Sequence, residues 1–143
     1  MRCADIMKKD VETCRPDAPV RDVAARMRDR NIGFVPVCDG DGRVRGVVTD
    51  RDICLRIVAE QRDFDTPVAD CMSTEELVTC RPDDDLVRAQ QQMGARRKSR
   101  ILVCDENNKL VGVISLSDIA QFEDASTAAD TMRRVTDRES RIQ

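Results

Sequence analysis

The chain has 143 residues, which is enough for one ordinary domain or two very small ones and excludes a large multidomain enzyme. Charged residues make up 36% of the sequence, but 24 basic and 27 acidic side chains leave a net charge of -3, so the excess is mixed surface charge and not a field that attracts a polyanion. The aromatic residues are three phenylalanines and there is no histidine, which argues against base stacking on single-stranded nucleic acid and against Ser-His or Cys-His catalysis.

The first residues of the sequence and the length of its apolar runs predict where in the cell the protein is found. The first ten residues are charged and contain no apolar stretch of the length of a signal peptide. No apolar run approaches the ~20 residues that a membrane span needs. We therefore expect a cytoplasmic protein that binds neither membranes nor nucleic acid.

The first predicted elements are a short strand and a helix. Residues 11–14 form an extended piece that Pro16 ends. From Val20 to Met27 apolar residues recur at the i, i+3, i+4, i+7 spacing, which predicts an amphipathic helix.

Two strands and a second helix follow. Gly33 precedes an apolar run that ends at Cys38, and residues 39–42 (Asp-Gly-Asp-Gly) are a strong hairpin signal. The turn leads into a third strand over residues 44–48. A second helix is predicted for residues 50–60.

This pattern occurs twice in the chain. Residues 13–17 (Thr-Cys-Arg-Pro-Asp) recur without substitution as residues 79–83, and the correspondence continues through Ile119. Upstream, residues 5–7 match residues 70–72 at a shift that is one residue smaller. A unit of about 60 residues buries too little surface alone, so we expect an α+β fold, of α/β type, in which two β-α-β-β-α repeats pack about a pseudo-twofold axis.

The duplication divides the chain into three segments. Residues 3–62 are assigned to the first repeat and residues 67–125 to the second. Residues 126–143 form a C-terminal tail, either helical or flexible, in which Thr127 and Asp130 are a candidate capping box.

The seven cysteines are an odd set without a Cys-x-x-Cys pair, and no histidine can complete a zinc site, so we expect neither a disulfide framework nor a metal. Cys14 with Cys80, and Cys38 with Cys104, hold equivalent positions in predicted strands. They are interpreted as small buried apolar residues. The alternative, a redox sensor, would need an exposed thiol of low pKa, and the sequence identifies none.

One string in each repeat joins a buried strand to a helix. In residues 46–52 (Gly-Val-Val-Thr-Asp-Arg-Asp) and 112–118 (Gly-Val-Ile-Ser-Leu-Ser-Asp), a hydroxyl residue stands three positions before an aspartate. One interpretation is a helix capping box. The other is a nucleotide site, because a helix N-terminus attracts phosphate and a carboxylate one turn later can accept from both hydroxyls of a ribose. Its occurrence at two matching positions favours the nucleotide site.

Together, residues 5–7, 13–16, 32–37 and 46–53 and their second copies resemble the CBS domain family, arranged as the tandem pair called a Bateman module. The resemblance covers roughly residues 3–122. It implies a non-catalytic, stand-alone CBS domain-containing protein that binds an adenosine-containing ligand, with AMP, ADP or ATP expected first, in the cleft between the repeats. S-adenosylmethionine and dinucleotides remain open as ligands, and signalling would occur by conformational change.

The resemblance also implies roles for individual residues. The aspartates would hold the ribose hydroxyls, the hydroxyl residues would contact phosphate, and the dipeptides 32–33 and 98–99 would line the adenine. The two arginines are added as phosphate partners on charge and closeness in sequence alone. The full set is Ile32, Gly33, Thr49, Arg51, Asp52, Lys98, Ser99, Arg100, Ser115 and Asp118.

One departure from the family pattern concerns the second strand of each repeat. The usual proline is present as Pro36, but Leu102 replaces it in the second copy. We therefore expect the backbone near the base to differ between the two sites, which need not bind the same ligand.

Two other functions remain open on the sequence alone. The first is a structural dimerisation or interaction module without a ligand, in which both motifs only cap helices. The second is a small enzyme or redox switch, for which Asp50 and Asp52 are the nearest pair of carboxylates, but no base or metal cluster accompanies them. With no effector domain in the sequence, the expected protein partners are a second copy, in a homodimer, and an effector that is regulated in trans.

Overall fold

A computed structural model of the chain describes residues 1–75, 77–122 and 125–142. The chain divides into two compact units, unit I (Val11–Leu77) and unit II (Met1–Asp10 together with Val78–Gln143). Each unit has its own cluster of buried apolar side chains. Within the described part of the chain, no helix is both long enough and apolar enough to cross a membrane.

The predicted α+β class is confirmed, with small sheets and helices in two repeats. The elements in chain order are α1 (Cys3–Ile6), α2 (Val20–Arg30), β1 (Phe34–Cys38), β2 (Val44–Thr49), α3 (Asp50–Ile53), β3 (Thr79–Cys80), α4 (Leu86–Arg96), β4 (Arg100–Cys104), β5 (Leu110–Ser115), α5 (Leu116–Phe122) and α6 (Ala125–Ile142).

In unit I the predicted helix and hairpin are confirmed. Helix α2 buries Val20, Val23 and Met27, the apolar positions of the predicted stripe. Strands β1 and β2 pair antiparallel, from Phe34 opposite Thr49 to the turn. The single α-helix predicted for residues 50–60 is shorter in the structure. Helix α3 has one turn and continues as a wider π-helical turn over Cys54–Val58, and this second turn buries Ile57.

The two repeats differ in their first strand. In unit II, β3 pairs parallel to β4, and the Leu102 N–H donates to the Val78 carbonyl at 3.0 Å. Pro36 holds the equivalent position in unit I and has no N–H to donate. The strand predicted for residues 11–14 is therefore reduced there to one bridge, between Cys14 and Val37.

The first ten residues lie in unit II, although the duplication assigns them to the first repeat. Lys8 and Val113 exchange two backbone hydrogen bonds, of 2.9 and 3.0 Å. Ser73 and Val47 exchange the same two bonds in unit I, at 2.8 and 3.0 Å. The segment that precedes each sequence repeat therefore completes the unit formed by the other repeat.

Glycines at equivalent positions permit this close approach. A Cβ atom added at Gly46 would lie 2.7 Å from the Ser73 carbonyl oxygen, and one added at Gly112 would lie 2.8 Å from the Met7 Sδ atom. A Cβ atom at Gly112 would also lie 3.0 Å from the Lys8 carbonyl oxygen, so the neighbouring backbone segment favours glycine as the first residue of each motif string.

The segment after the second repeat forms α6, which packs on α4 and α5. Thr131 and Val135 are buried in this packing. The side chain of Thr127, in the candidate capping box, lies outside the described residues.

Candidate functional site

Both Ser/Thr-x-x-Asp motifs form complete capping boxes. In unit I, the Thr49 N–H donates to the Asp52 Oδ2 atom at 2.9 Å, and the Asp52 N–H donates to the Thr49 hydroxyl at 3.1 Å. In unit II, Ser115 and Asp118 make the same two bonds at 2.9 and 3.2 Å. The capping interpretation is confirmed in both copies, and the boxes hold each aspartate side chain in a defined rotamer.

The remaining oxygen of each carboxylate faces the segment that precedes the other repeat. In unit I, the Ser73 hydroxyl donates to the Asp52 Oδ1 atom at 3.3 Å. In unit II, the Lys8 ammonium lies 3.4 Å from the Asp118 Oδ1 atom. The paired backbones of Lys8 with Val113 and of Ser73 with Val47 place these two side chains equivalently.

Both carboxylates are largely removed from water but have cations beside them. The Asp52 side chain is 13% exposed and the Asp118 side chain is 9% exposed. Beside Asp52 the cation is Arg56, whose Nε atom is 4.0 Å from Oδ1 and whose Nη1 atom donates to the carbonyls of residues 71 and 72 at 3.1 Å. Beside Asp118 the cation is Lys8, whose side chain is 71% exposed. The first cation is thus fixed by the backbone and the second faces solvent.

The dipeptides that the resemblance assigns to the base lie against the start of the motif helices. The Gly33 carbonyl accepts from the Asp50 N–H at 3.0 Å, and the Ser99 carbonyl accepts from the Leu116 N–H at 2.8 Å. A Cβ atom at Gly33 would lie 2.7 Å from the Asp50 Oδ2 atom. Serine stands at the equivalent position in unit II, where leucine replaces that aspartate.

The structure therefore brings most of the predicted residues together within each unit. In unit I, Ile32 and Gly33 precede β1, whose first residue pairs with Thr49. In unit II, Lys98 and Ser99 precede Arg100, which pairs with Ser115 in the β4–β5 ladder. Arg51 follows Thr49 by two residues and is exposed.

Three residues beside the carboxylates were not predicted. One is Arg56, which follows Asp52 by four residues. The other two are Lys8 and Ser73. They are distant from the motifs in sequence, and only the structure shows their contacts with Asp118 and Asp52. A signal did exist, because both follow the matching triplets at residues 5–7 and 70–72.

A metal site does not emerge from these residues. No group of three or more cysteine, aspartate or glutamate side chains that could hold a metal ion occurs in the described ranges. The polar groups of the motifs are backbone N–H groups, hydroxyls and single carboxylates, a set suited to a hydroxylated organic ligand.

Comparison with known proteins identifies the family. The model of the CBS domain matches residues 3–59 and 68–125. The CBS domain-containing protein YhcV of Bacillus subtilis is 40% identical over 116 residues, which cover 81% of this chain and 81% of the relative. The arabinose 5-phosphate isomerase KpsF of Escherichia coli is 31% identical over 117 residues, which cover 82% of this chain but only 36% of that enzyme.

A solved structure agrees with this assignment. The CBS domain protein PAE2072 from Pyrobaculum aerophilum, complexed with AMP, superposes with a TM-score of 0.76 at 26% identity and covers 93% of this chain and 99% of that one. With two matched repeats and a closely related CBS domain-containing protein, this chain belongs to the CBS domain family.

Proposed function

We propose that the protein is a non-catalytic regulatory module that binds an adenosine nucleotide, AMP, ADP or ATP, and signals to an effector protein in trans, with a homodimer as the working assembly. The observation that carries the proposal is the repeated geometry of Asp52 and Asp118. Each carboxylate is largely removed from water and oriented, and each keeps capacity to accept further hydrogen bonds. AMP in the solved structure of the related PAE2072 protein supports this class of ligand.

The carboxylates are suited to a ribose. An ionised carboxylate offers about four lone-pair positions. In unit I, the Thr49 N–H and the Ser73 hydroxyl use two of them on Asp52. Two positions remain for the vicinal hydroxyls of a ribose, and the capping box holds the carboxylate in place before the ligand arrives.

The other residues of the set extend the site on either side of the ribose. The Thr49 hydroxyl accepts from the Asp52 N–H, which leaves its proton available to a phosphate oxygen. Ser115 accepts the same bond from Asp118 in unit II, and its hydroxyl also shares a hydrogen bond of 2.9 Å with the Ser117 hydroxyl. The dipeptides 32–33 and 98–99 line the adenine, and Arg51 and Arg100 supply positive charge toward the phosphates.

Lys8 and Ser73 make the two carboxylates unequal, and we propose that they set the ligand preference of each. The exposed ammonium of Lys8 favours a phosphorylated ligand at Asp118, because it can contact an anionic group while a ribose occupies the carboxylate. The hydroxyl of Ser73 is neutral, and the cation beside Asp52, Arg56, donates to the carbonyls of residues 71 and 72, so we expect a weaker preference for a phosphorylated ligand at Asp52.

Exchanging the residue types at positions 8 and 73 tests whether these residues set the preference for a phosphorylated ligand. With Asp52→Ala in the background to isolate Asp118, Lys8→Ser is expected to lower the affinity for AMP about two- to fivefold, which is roughly the 0.5–1 kcal/mol of an exposed charge contact. The affinity for uncharged adenosine should change much less. Titration calorimetry with both ligands measures the ratio, and an equal loss for AMP and adenosine would contradict the role of Lys8. Ser73→Lys in an Asp118→Ala background is the reciprocal variant, in which AMP should gain over adenosine.

The complete capping boxes are also what a structural module without a ligand would have. Ligand-dependent melting separates that alternative from the proposed function. A ligand that binds only the folded chain raises the free energy of unfolding by about 2.7 kcal/mol at 100 times its dissociation constant. We expect the melting temperature to rise with AMP, ADP or ATP and not with the same concentration of inorganic phosphate. Motifs that serve only as caps give no dependence on nucleotide.

A further inference from the structure

Two cysteines in unit II lie in direct contact. Cys3 is the first residue of α1 and Cys80 is the last residue of β3, and their Sγ atoms are 3.5 Å apart. Both residues are buried, with exposed fractions of 0% and 7%. They are 77 residues apart in sequence, so the contact joins the N-terminal segment to the sheet of the second repeat.

The equivalent position in unit I has only one thiol. Cys14 corresponds to Cys80, but Val68 stands where Cys3 stands. The backbone confirms this equivalence, because the Cys3 N–H donates to the Asp84 carbonyl at 2.9 Å and the Val68 N–H donates to the Ala18 carbonyl at 2.8 Å. Cys14 and Cys80 are both buried, as expected for strand cysteines that pack as apolar residues. Only Cys80, in unit II, has the thiol of Cys3 beside it at this position.

The contact between the sulfurs changes the chemistry of the pair. The Cys80 thiol donates a hydrogen bond to the Cys3 sulfur, and this bond holds the pKa of Cys3 below its ordinary value. By contrast, burial raises the pKa of Cys14 to about 11. The same bond, together with burial, raises the pKa of Cys80. Cys3 is therefore the sulfur of the pair that reaches its thiolate form, and it does so more readily than Cys14 in unit I.

A cavity gives small molecules access to Cys80, the member of the pair that lines it. It has a volume of about 260 Å³ and is lined in part by Cys80, Arg81 and Asp84. The cavity is polar, and none of the residues proposed to bind nucleotide lines it. A small peroxide fits such a space without opening the core.

We propose that Cys3 and Cys80 are a redox-active pair that a peroxide converts to a disulfide, tying the N-terminal segment to β3. One sulfur, as its thiolate, attacks the peroxide: an S–O bond forms, the O–O bond breaks and the departing hydroxide takes up a proton as water. The second sulfur then attacks the sulfenic acid: the S–S bond forms, the S–O bond breaks and a second water leaves. Overall, two thiols are oxidised and one hydrogen peroxide is reduced to two water molecules.

The disulfide has a measurable consequence for folding. It closes a loop of 77 residues between α1 and β3, which constrains the unfolded chain. We expect the oxidised protein to melt roughly 5–15 °C higher than the reduced protein.

The experiment uses the full chain with Cys54→Ser as background, because Cys54 is the exposed cysteine among the seven and would cross-link copies. The protein is treated with dilute hydrogen peroxide, unfolded and alkylated, and its free thiols and peptides are measured by mass spectrometry. We expect the loss of two thiols and a peptide in which Cys3 is joined to Cys80. Cys14→Ser, the matched control in unit I, should behave identically, whereas Cys3→Ser and Cys80→Ser should form no such link.

A gain-of-function variant keeps the test informative if a serine variant folds poorly. Val68→Cys places a second thiol opposite Cys14, at the position that Cys3 holds in unit II. We expect a second disulfide and the loss of two further thiols. The proposal is overturned if the folded parent protein retains both thiols under peroxide, or if Cys3→Ser loses as many thiols as the parent.

Discussion

Asp118→Ala is expected to weaken AMP binding by unit II roughly 10- to 150-fold, and Asp52→Ala should do the same in unit I. Each substitution removes hydrogen bonds from the ribose hydroxyls to a charged acceptor, worth about 1.5–3 kcal/mol. It also removes the bond from the Ser115 or Thr49 N–H, so the free energy of unfolding should fall by about 1 kcal/mol. Titration calorimetry and thermal melting measure the two effects separately.

A helix cap outside the two Ser/Thr-x-x-Asp motifs provides the control for the loss of stability. Asp85 is the N-cap residue of α4, and its Oδ1 atom accepts from the Val87 N–H at 3.0 Å. Asp85→Ala should therefore cost about 1 kcal/mol of stability and leave AMP affinity unchanged. If Asp118→Ala and Asp85→Ala lose the same stability and neither changes AMP binding, the motif aspartates are caps and nothing more.

Leu102→Pro is expected to destabilise the chain by about 2–4 kcal/mol, even though proline is the residue of the first repeat at this position. Leu102 lies in β4, the central strand of the three-stranded sheet, and its N–H donates to the Val78 carbonyl. Proline has no N–H, so the Val78 carbonyl loses its hydrogen-bond donor, which costs about 1–3 kcal/mol of stability. The substitution also replaces the buried leucine side chain. Chemical denaturation measures the difference.

Leu102→Val separates the hydrogen bond from the packing. It keeps the N–H and removes only side-chain volume, so we expect a loss of about 1 kcal/mol. Unit I tolerates Pro36 because its first strand makes a single bridge and requires no donor there. Equal stability of Leu102→Pro and Leu102→Val would show that the β3–β4 bond contributes nothing, against this explanation of the asymmetry.

The local elements could be predicted from the sequence because their signals are local. The apolar stripe of α2, the turn at residues 39–42 and the Ser/Thr-x-x-Asp spacing each depend on contacts within a few residues, and the structure confirms them. The duplication then transfers each prediction from one repeat to the other.

Which chain segments make up each unit could not be predicted in the same way. The contacts of Lys8 with Val113 and of Cys3 with Cys80 join residues that are distant in sequence, and no periodicity encodes such pairings. Gly46 and Gly112 were noted only as parts of a motif, although their missing side chains are what admits the neighbouring segment. The loss of the first strand in unit I depends on a single N–H, which Pro36 lacks.

The most direct test of nucleotide binding is a calorimetric titration of AMP into the wild-type chain and into the Asp52→Ala/Asp118→Ala variant. We predict saturable binding to the wild-type protein and its loss in the variant, with both proteins shown to be folded by circular dichroism. The absence of binding to folded wild-type protein at millimolar AMP, ADP and ATP, or equal binding by the two proteins, would contradict the assignment of these carboxylates to an adenosine nucleotide.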